Sequence, residues 1–375
     1  MKVLHLISSG GMYGAEAVIL NLSRILNEAG HSSEVASFSN SANPNLQLHE
    51  RALQEGLQSH LIPCSGQVDR AALKAVRELV ARSGADVVHA HGFKADVYAY
   101  LALRRTNTPL VSTCHTWYDT DWLVTLYGRI DRVVLRRFAR VVAVSDDVRR
   151  QLLAAGVREE RIRMVRNGID LRPFENVAPA LRVEMAAGDT PIVGLIGRLA
   201  QSKGVDLYLE AAARVLSSGA KALFIVVGEG PDHATLERKI DELKLCGQAT
   251  MLGRRDDMPA VYASLNIMVS ASRQEGLPMA ILEGMASGLP LVATAVGEVP
   301  TVVEDGRTGL LVPSEDVDAL AAAIGQLLHD PAERARMGTA ARQRIREEYS
   351  ANRMAEDYLR VYNEATSSIR KPAER

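Results

Sequence analysis

Ser270–Glu283, SASRQEGLPMAILE, follows the strand-like run Asn266–Val269 and opens a helical pattern that continues through Ala286. Two carboxylates bracket the turn, Glu275 in the loop and Glu283 inside the helix. Pro278 suits the first helical position, where a missing N–H costs nothing. Glu283 then falls about one and a half turns in, at ~3.6 residues per turn. The free N–H groups of Gly276, Leu277 and Met279 crowd a helix N-terminus, which is a ready anion site. One element thus offers an anion cradle with a carboxylate on either side. A nucleotide sugar presents its groups in that order: hydroxyls, diphosphate, hydroxyls. The plainer reading is a capped helix start with one solvated glutamate, and the rest of the chain decides between them.

The length of 375 residues suggests two or three domains. Apolar residues make up 47% and charged residues 24%, the composition of an ordinary globular protein. The net charge of −1 creates no global field for nucleic acid. Cys64, Cys114 and Cys246 are few and far apart, so neither a disulfide framework nor a zinc spacing is present. They point to a reducing, cytoplasmic setting. The N-terminal MKVLHLISSGG is too brief for a secretory apolar region. No apolar stretch approaches the ~20 residues of a membrane span, so membrane contact would be peripheral, on the inner face.

Lys2–Ile7 reads as a buried strand, Ser8–Gly14 as a glycine-rich turn, and Ala15–Ala29 as a helix ended by Gly30. A strand, glycine loop and helix start suit a phosphate-bearing ligand. The glycines Gly10, Gly11 and Gly14 lack the dinucleotide spacing, and the next strand, Ser33–Phe38, ends without an acid for a ribose. Glu16, in the first helical turn, complements the helix dipole. Strand-like runs recur at Leu57–Ile62, Ala85–Ala90, Pro109–Thr113, Arg140–Val144 and Arg161–Val165, with helical patterns such as Arg70–Ala81 and Phe93–Arg104 between them. This alternation predicts a doubly wound parallel sheet, whose ligands sit beyond the carboxyl ends of the strands. His91, His115 and Ser145 fall just past strand ends. His115 lies in an aromatic loop flanked by Trp117 and Trp122 that suits sugar or acceptor contact, with core packing as the alternative.

Arg129, Arg132, Arg136 and Arg140 recur at three, four and four along a helical pattern, Gly128–Arg140, which places them on one face. That face reads as solvated surface, or as a docking face for anionic lipid or an acceptor phosphate. The stretch 172–190, with Pro173, Pro179 and Gly188 and no periodicity, reads as a linker.

A second alternating series starts at Pro191. Strands are expected at Ile192–Ile196, Ala222–Val227, Ala249–Leu252, Pro290–Ala293 and Thr308–Val312, besides the one before Ser270. Ser314–Leu328, Pro331–Glu348 and Arg353–Val361 read as helices, with a frayed tail from Ser367. Arg198 and Lys203 lie on the loop after the first of these strands, so a parallel sheet brings them to the same edge as Glu275 and Glu283. Two cations with helix N–H groups can stabilise a departing nucleoside diphosphate without a metal. Asp119 and Asp121 are the nearest carboxylate pair, but they sit in the aromatic loop, so no metal is expected.

These residues carry a resemblance that spans nearly the whole chain. Gly10–Gly11 through Gly14–Ala15–Glu16, His115, Asn167–Gly168–Ile169–Asp170, Gly197–Arg198 with Lys203–Gly204, Gly228–Glu229–Gly230–Pro231, and Glu275–Gly276–Leu277–Pro278 through Glu283 stand in family order. The chain resembles the retaining glycosyltransferases of family 4, the group 1 type. The resemblance implies a GT-B fold, two doubly wound α/β Rossmann-like domains facing across a cleft. Residues 1–171 with 350–375 would form the acceptor domain, completed by a crossover helix, and 191–349 the nucleotide-sugar domain. It further implies that Arg198 and Lys203 hold the diphosphate, Glu283 the ribose and Glu275 the donor sugar. His115 would lie near the anomeric carbon. Gly11, with Gly14, Glu16 and Asn167 in the same domain, would approach the phosphate or acceptor. Glu229 and Arg254 would lie near the base-and-ribose pocket, and Gly276 and Leu277 at the anion cradle. No cofactor is implied, only a nucleotide-sugar co-substrate, a UDP-sugar ahead of a GDP-sugar. The acceptor would be a sugar or a lipid-linked molecule of cell-envelope, polysaccharide or glycolipid synthesis. The Gln201–Ser202 stretch departs from the Pro or Glu frequent in family loops. An epimerase or phosphorylase on the same scaffold, or a non-catalytic sugar-binding protein, are the competing readings.

Overall fold

The computed structural model describes residues 1–11, 14–40, 44–66, 69–114, 130–276 and 279–370. His115, Trp117, Asp119, Asp121, Trp122, Arg129, Leu277 and Pro278 therefore lie outside the described residues. The chain forms two compact units, Met1–Gly168 with Ala351–Arg375, and Ile169–Ser350.

The first unit carries the strands β1 (Lys2–Ile7), β2 (Ser32–Ser39), β3 (Gln58–Pro63), β4 (Val87–His91), β5 (Leu110–Cys114), β6 (Arg140–Ala143) and β7 (Ile162–Met164). Their spatial order is β3-β2-β1-β4-β5-β6-β7, every pair parallel. The second unit carries β8 (Ile192–Ile196), β9 (Leu223–Val227), β10 (Ala249–Met251), β11 (Ile267–Ser270), β12 (Leu291–Thr294) and β13 (Gly309–Val312). These run β10-β9-β8-β11-β12-β13, again parallel throughout. Parallel strands need covered faces, which explains why β4, β5, β11 and β12 are buried at every position. In each sheet the strand order reverses once, beside β1 and β4 in the first unit and beside β8 and β11 in the second. Helices on the two sides of that point diverge, leaving a crevice at the carboxyl ends of the strands.

The C-terminal helix, Ala351–Arg370, belongs to the first unit and is held there by a buried polar seam. His89 of β4 lies 2.8 Å from the Tyr362 hydroxyl through Nδ1 and 2.7 Å from Thr113 Oγ1 through Nε2. Thr113 Oγ1 also lies 2.9 Å from the Tyr358 hydroxyl. His5 Nδ1 of β1 sits 3.0 Å from His91 Nε2. His5, His89 and Thr113 fall on one face of the sheet by register, and the apolar residues Val3, Val87 and Val111 continue that face beneath the helix. The three histidines bring ring nitrogens within 4.8 Å of one another. Both nitrogens of His89 already face hydroxyl groups, so the cluster reads as a hydrogen-bonded seam.

Residues 172–190 are not a linker: Arg172–Phe174 forms a 3-10 turn and Ala180–Glu184 a helix, both within the second unit. Leu181 is fully buried, and Arg182 donates to the carbonyls of Gly188, Thr190 and Ser264 and to Asn266 Oδ1. One apolar anchor and one multidentate arginine replace the periodicity that proline and glycine erase. The last helix runs nine residues past Val361, to Arg370, because Tyr358, Tyr362 and Ala365 continue its buried face. The arginine face does not exist as read. Helical geometry ends at residue 135, and Arg140 begins β6. The chain turns there because Leu135 and Phe138 are both fully buried. Arg136 donates to the Ala155 carbonyl, and Arg140 pairs with Glu364 at 2.9 Å. His91 ends β4 inside the strand and is buried, while Ser145 caps the helix Asp146–Ala154 by accepting from Val148 N.

Burial lowers the pKa of His5 from 6.5 to about 3. Above pH ~6.5 the imidazole is neutral both folded and unfolded; below it the unfolded chain takes up a proton that the folded chain refuses. Stability should therefore fall as pH drops from about 6.5 toward 3. Urea denaturation of the wild type and of His5→Gln between pH 7.5 and 5 checks this: the variant should show the shallower decline, and equal slopes would refute it.

Candidate active site

The loops after β8, β9, β10 and β11 emerge at one edge of the second sheet and are tied to one another. Leu199 N donates to Glu229 O at 2.9 Å, and Gly228 N donates to Gly253 O at 2.8 Å. Arg273 N donates to Ser202 O at 2.8 Å, joining the β8 and β11 loops at the point where the strand order reverses. The tie demands close backbone approach. Gly204, at φ +62, closes the 3-10 turn Gln201–Lys203, and a Cβ there would meet Ala271 O at 1.9 Å. Gly297, at φ +54, makes room for the Glu275 carbonyl, which a Cβ would meet at 1.8 Å.

This framework places Lys203 against Glu275. Lys203 Nζ donates to Glu275 Oε1 at 2.6 Å, and Ser272 Oγ donates to the same oxygen at 2.6 Å. The Glu275 side chain is only 7% exposed, so the contact is a largely desolvated charge pair. Among the described residues nothing hydrogen-bonds its second oxygen. Thr294 Oγ1 donates to the Ser272 carbonyl at 2.6 Å and steadies that end of the loop. Arg273 binds Asp206 with two N–H groups, each at 2.8 Å, donates to Gln201 O, and pairs with Glu315. One arginine thus clamps segments that follow three different strands.

Glu283 lies in the helix Met279–Ala286 and accepts a 2.7 Å hydrogen bond from the Tyr262 hydroxyl at Oε2. Burial pushes its pKa up, and the Tyr262 bond pulls it partly back. Tyr262 is fully buried and stands edge-on to Phe174, at 5.9 Å between ring centres. Arg198 is exposed on the β8 loop with its guanidinium free of hydrogen bonds among the described residues. Glu229 is exposed beside it, Arg254 is exposed and pairs with Asp256 at 3.5 Å, and Gly276 is exposed at the mouth of the helix.

In the first unit, Gly11 is buried at the end of the β1 loop, where Ser9 Oγ donates to its carbonyl at 2.8 Å. Gly14 begins the following helix, and Glu16 is buried in its first turn. Asn167 follows β7, with its Oδ1 buried and unbonded among the described residues. Asp96 is buried beside Asp131, and its carboxyl is raised first by burial and then by the neighbouring charge. Sequence reading did not single out Tyr262, Ser272, Arg273 or Asp96. Tyr262 and Arg273 act on partners 21 and 67 residues away, which no local pattern connects, while Ser272 reaches Glu275 across a turn of three residues.

The chemistry on offer in the second unit is anion binding beside carboxylates: a free guanidinium, an ammonium, a helix start and two glutamates at one sheet edge. Known proteins resemble the chain that carries this site. The model for "Glycosyl transferases group 1" matches residues 180–344, and that for "Glycosyltransferase Family 4" matches residues 12–172. The alpha-D-kanosaminyltransferase of Streptomyces kanamyceticus is 31% identical over 77% of this chain and 78% of its own. The phosphatidyl-myo-inositol mannosyltransferase of Mycolicibacterium smegmatis is 28% identical over 93% of this chain and 89% of its own. The crystal structure of Anabaena Alr3699/HepE in complex with UDP superposes with a TM-score of 0.83 at 22% identity, covering 96% of this chain and 99% of that one. The fold is GT-B, two Rossmann-like units. The chain belongs to the group 1, family 4 glycosyltransferases and is a glycosyltransferase.

Removing the Tyr262 hydroxyl takes away the interaction that lowers the Glu283 pKa. Tyr262→Phe should therefore shift the titration of the Glu283 carboxyl upward, followed by carbon-13 NMR of labelled glutamate. An unmoved or lowered midpoint would contradict the geometry.

Proposed function

We propose that this glycosyltransferase moves a sugar from a nucleoside-diphosphate sugar to an acceptor hydroxyl with retention at the anomeric carbon. The observation that carries the reading is the Lys203–Glu275 pair at the strand reversal, with the free Arg198 guanidinium on the same edge. Arg198 and Lys203 meet the diphosphate, the diphosphate competing with Glu275 for the ammonium. Glu275, released toward the sugar, holds donor hydroxyls. Glu283, with Oε2 fixed by Tyr262, offers its other oxygen to the ribose. Glu229 and Arg254 border the base, and the N–H groups at Gly276 and Leu277 add to the anion cradle.

In the transfer, the bond between the anomeric carbon and the diphosphate oxygen breaks, and its electron pair leaves with the nucleoside diphosphate. The acceptor hydroxyl adds on the same face and passes its proton to the departing phosphate. Charge accumulates on that phosphate in the transition state, where fixed cations act most strongly. This assignment needs no divalent ion. By the family resemblance, His115 is assigned to the anomeric centre, and Gly11, Gly14, Glu16 and Asn167 to the acceptor.

A UDP-sugar donor is favoured over a GDP-sugar, in keeping with the UDP in the Anabaena neighbour. A lipid-linked or envelope acceptor accords with the phosphatidyl-myo-inositol named for the mycobacterial relative. A thermal-shift screen of UDP-, GDP- and ADP-sugars identifies the donor, since a ligand at 100 times its Kd adds ~2.7 kcal/mol. With that donor, Lys203→Ala should lower turnover by ~100-fold or more, the scale of losing one positioned stabiliser of developing charge. Unchanged turnover would overturn the diphosphate role of Lys203.

A further inference from the structure

At the opposite edge of the first sheet, where β6 and β7 begin, arginines surround an open hollow of about 430 Å³. Arg140, Arg158, Arg161 and Arg163 line it, together with Glu160. The hollow is remote from the carboxyl ends of the same strands, where Asn167 lies. The four residues of β6 alone span ~13 Å at ~3.3 Å per residue.

The carboxylates nearby do not neutralise this cluster. Glu364 accepts from both Arg140 and Arg163, at 2.9 and 2.8 Å. Glu160 pairs with Arg158 at 3.0 Å. Among the described residues that leaves Arg161 with no carboxylate partner; its Nη1 donates to the carbonyls of Arg136 and Phe138. Its pKa is lowered by burial first and then by the charges of Arg158, Arg140 and Arg137, with Glu160 opposing. Among the described residues, Nε and Nη2 of Arg161 and Nη2 of Arg140 make no hydrogen bond. Guanidiniums held close by main-chain carbonyls, with donors to spare around one hollow, form a preorganised receptor for a tetrahedral oxyanion.

We propose that this hollow is a second anion site, binding a phosphate-bearing group through Arg140, Arg158 and Arg161 at the edge of the first sheet opposite its strand carboxyl ends. The group reaches it either as a soluble phosphate or as the headgroup of an anionic lipid. Binding is electrostatic and should weaken with salt.

The test has a soluble arm and a vesicle arm, both at low ionic strength. In the soluble arm, inorganic pyrophosphate is titrated calorimetrically into Lys203→Ala, which weakens the donor site, with and without Arg158→Gln and Arg161→Gln, so that only the change on arginine substitution is read. In the vesicle arm, the wild type and Arg158→Gln are sedimented with phosphatidylcholine vesicles, with and without phosphatidic acid. Arg158 has its side chain 60% exposed, and among the described residues Glu160 is its one ion-pair partner, so Arg158→Gln keeps the fold. A loss of pyrophosphate affinity of ~10-fold or more in the arginine variants supports the site with a soluble ligand. Sedimentation that requires phosphatidic acid and fails in Arg158→Gln supports it with a lipid ligand. If neither arm responds to the arginine substitutions, the proposal is overturned.

Discussion

An ammonium and a carboxylate 2.6 Å apart set the geometry of the second unit's site. Lys203 and Glu275 follow strands adjacent in space, though the two residues stand 72 positions apart in sequence. The Glu275 end of the contact is out of water, so removing Lys203 would leave a buried carboxylate without its cation. The surroundings are built to prevent that. Ser272 shares the Glu275 oxygen, Arg273 clamps the two loops to Asp206 and Glu315, and Gly204 and Gly297 let the backbones close to contact. Desolvation that makes the pair expensive to break also makes it responsive to an arriving anion, because fixed charges act more strongly away from water.

Much of this was legible in the sequence, and the reasons are specific. β1 was read at its true limits, and so was the helix Pro331–Glu348, because an unbroken apolar run and a proline-initiated pattern leave little latitude. Arg198, Lys203, Glu275 and Glu283 could be assigned to one edge because each follows a strand and all strands are parallel. The doubly wound pattern does that work without any knowledge of contacts. Glu229 and Arg254 came from the family resemblance alone; the structure has them exposed on the loops after β9 and β10.

What was not legible is tertiary. Tyr262 reaches Glu283 from a short helix, Met258–Ser264, whose sequence pattern does not reveal which side chain it faces. Nothing local marks Arg273, whose partners Asp206 and Glu315 lie 67 and 42 residues away. The arginine spacing from Arg129 to Arg140 suggested one helix face, but spacing alone does not reveal that Phe138 turns inward and ends the helix first. The segment 172–190 hid its membership of the second unit because its anchor is the bonding of Arg182 to four main-chain and side-chain acceptors. The histidines of β1 and β4 form a seam with Tyr358 and Tyr362, residues more than 250 positions later in the chain, which no local pattern connects.

The central claim is that side chains of the second unit, with no divalent ion, meet the negative charge of the leaving group. The dissociation constant of UDP, measured by calorimetry in excess chelator for the wild type and Lys203→Met, tests it most directly. The account predicts that wild-type binding survives chelation and that Lys203→Met weakens it by ~10-fold or more, about 1.4 kcal/mol. Binding that disappears with the chelator, or that is equal in the two proteins, would contradict it.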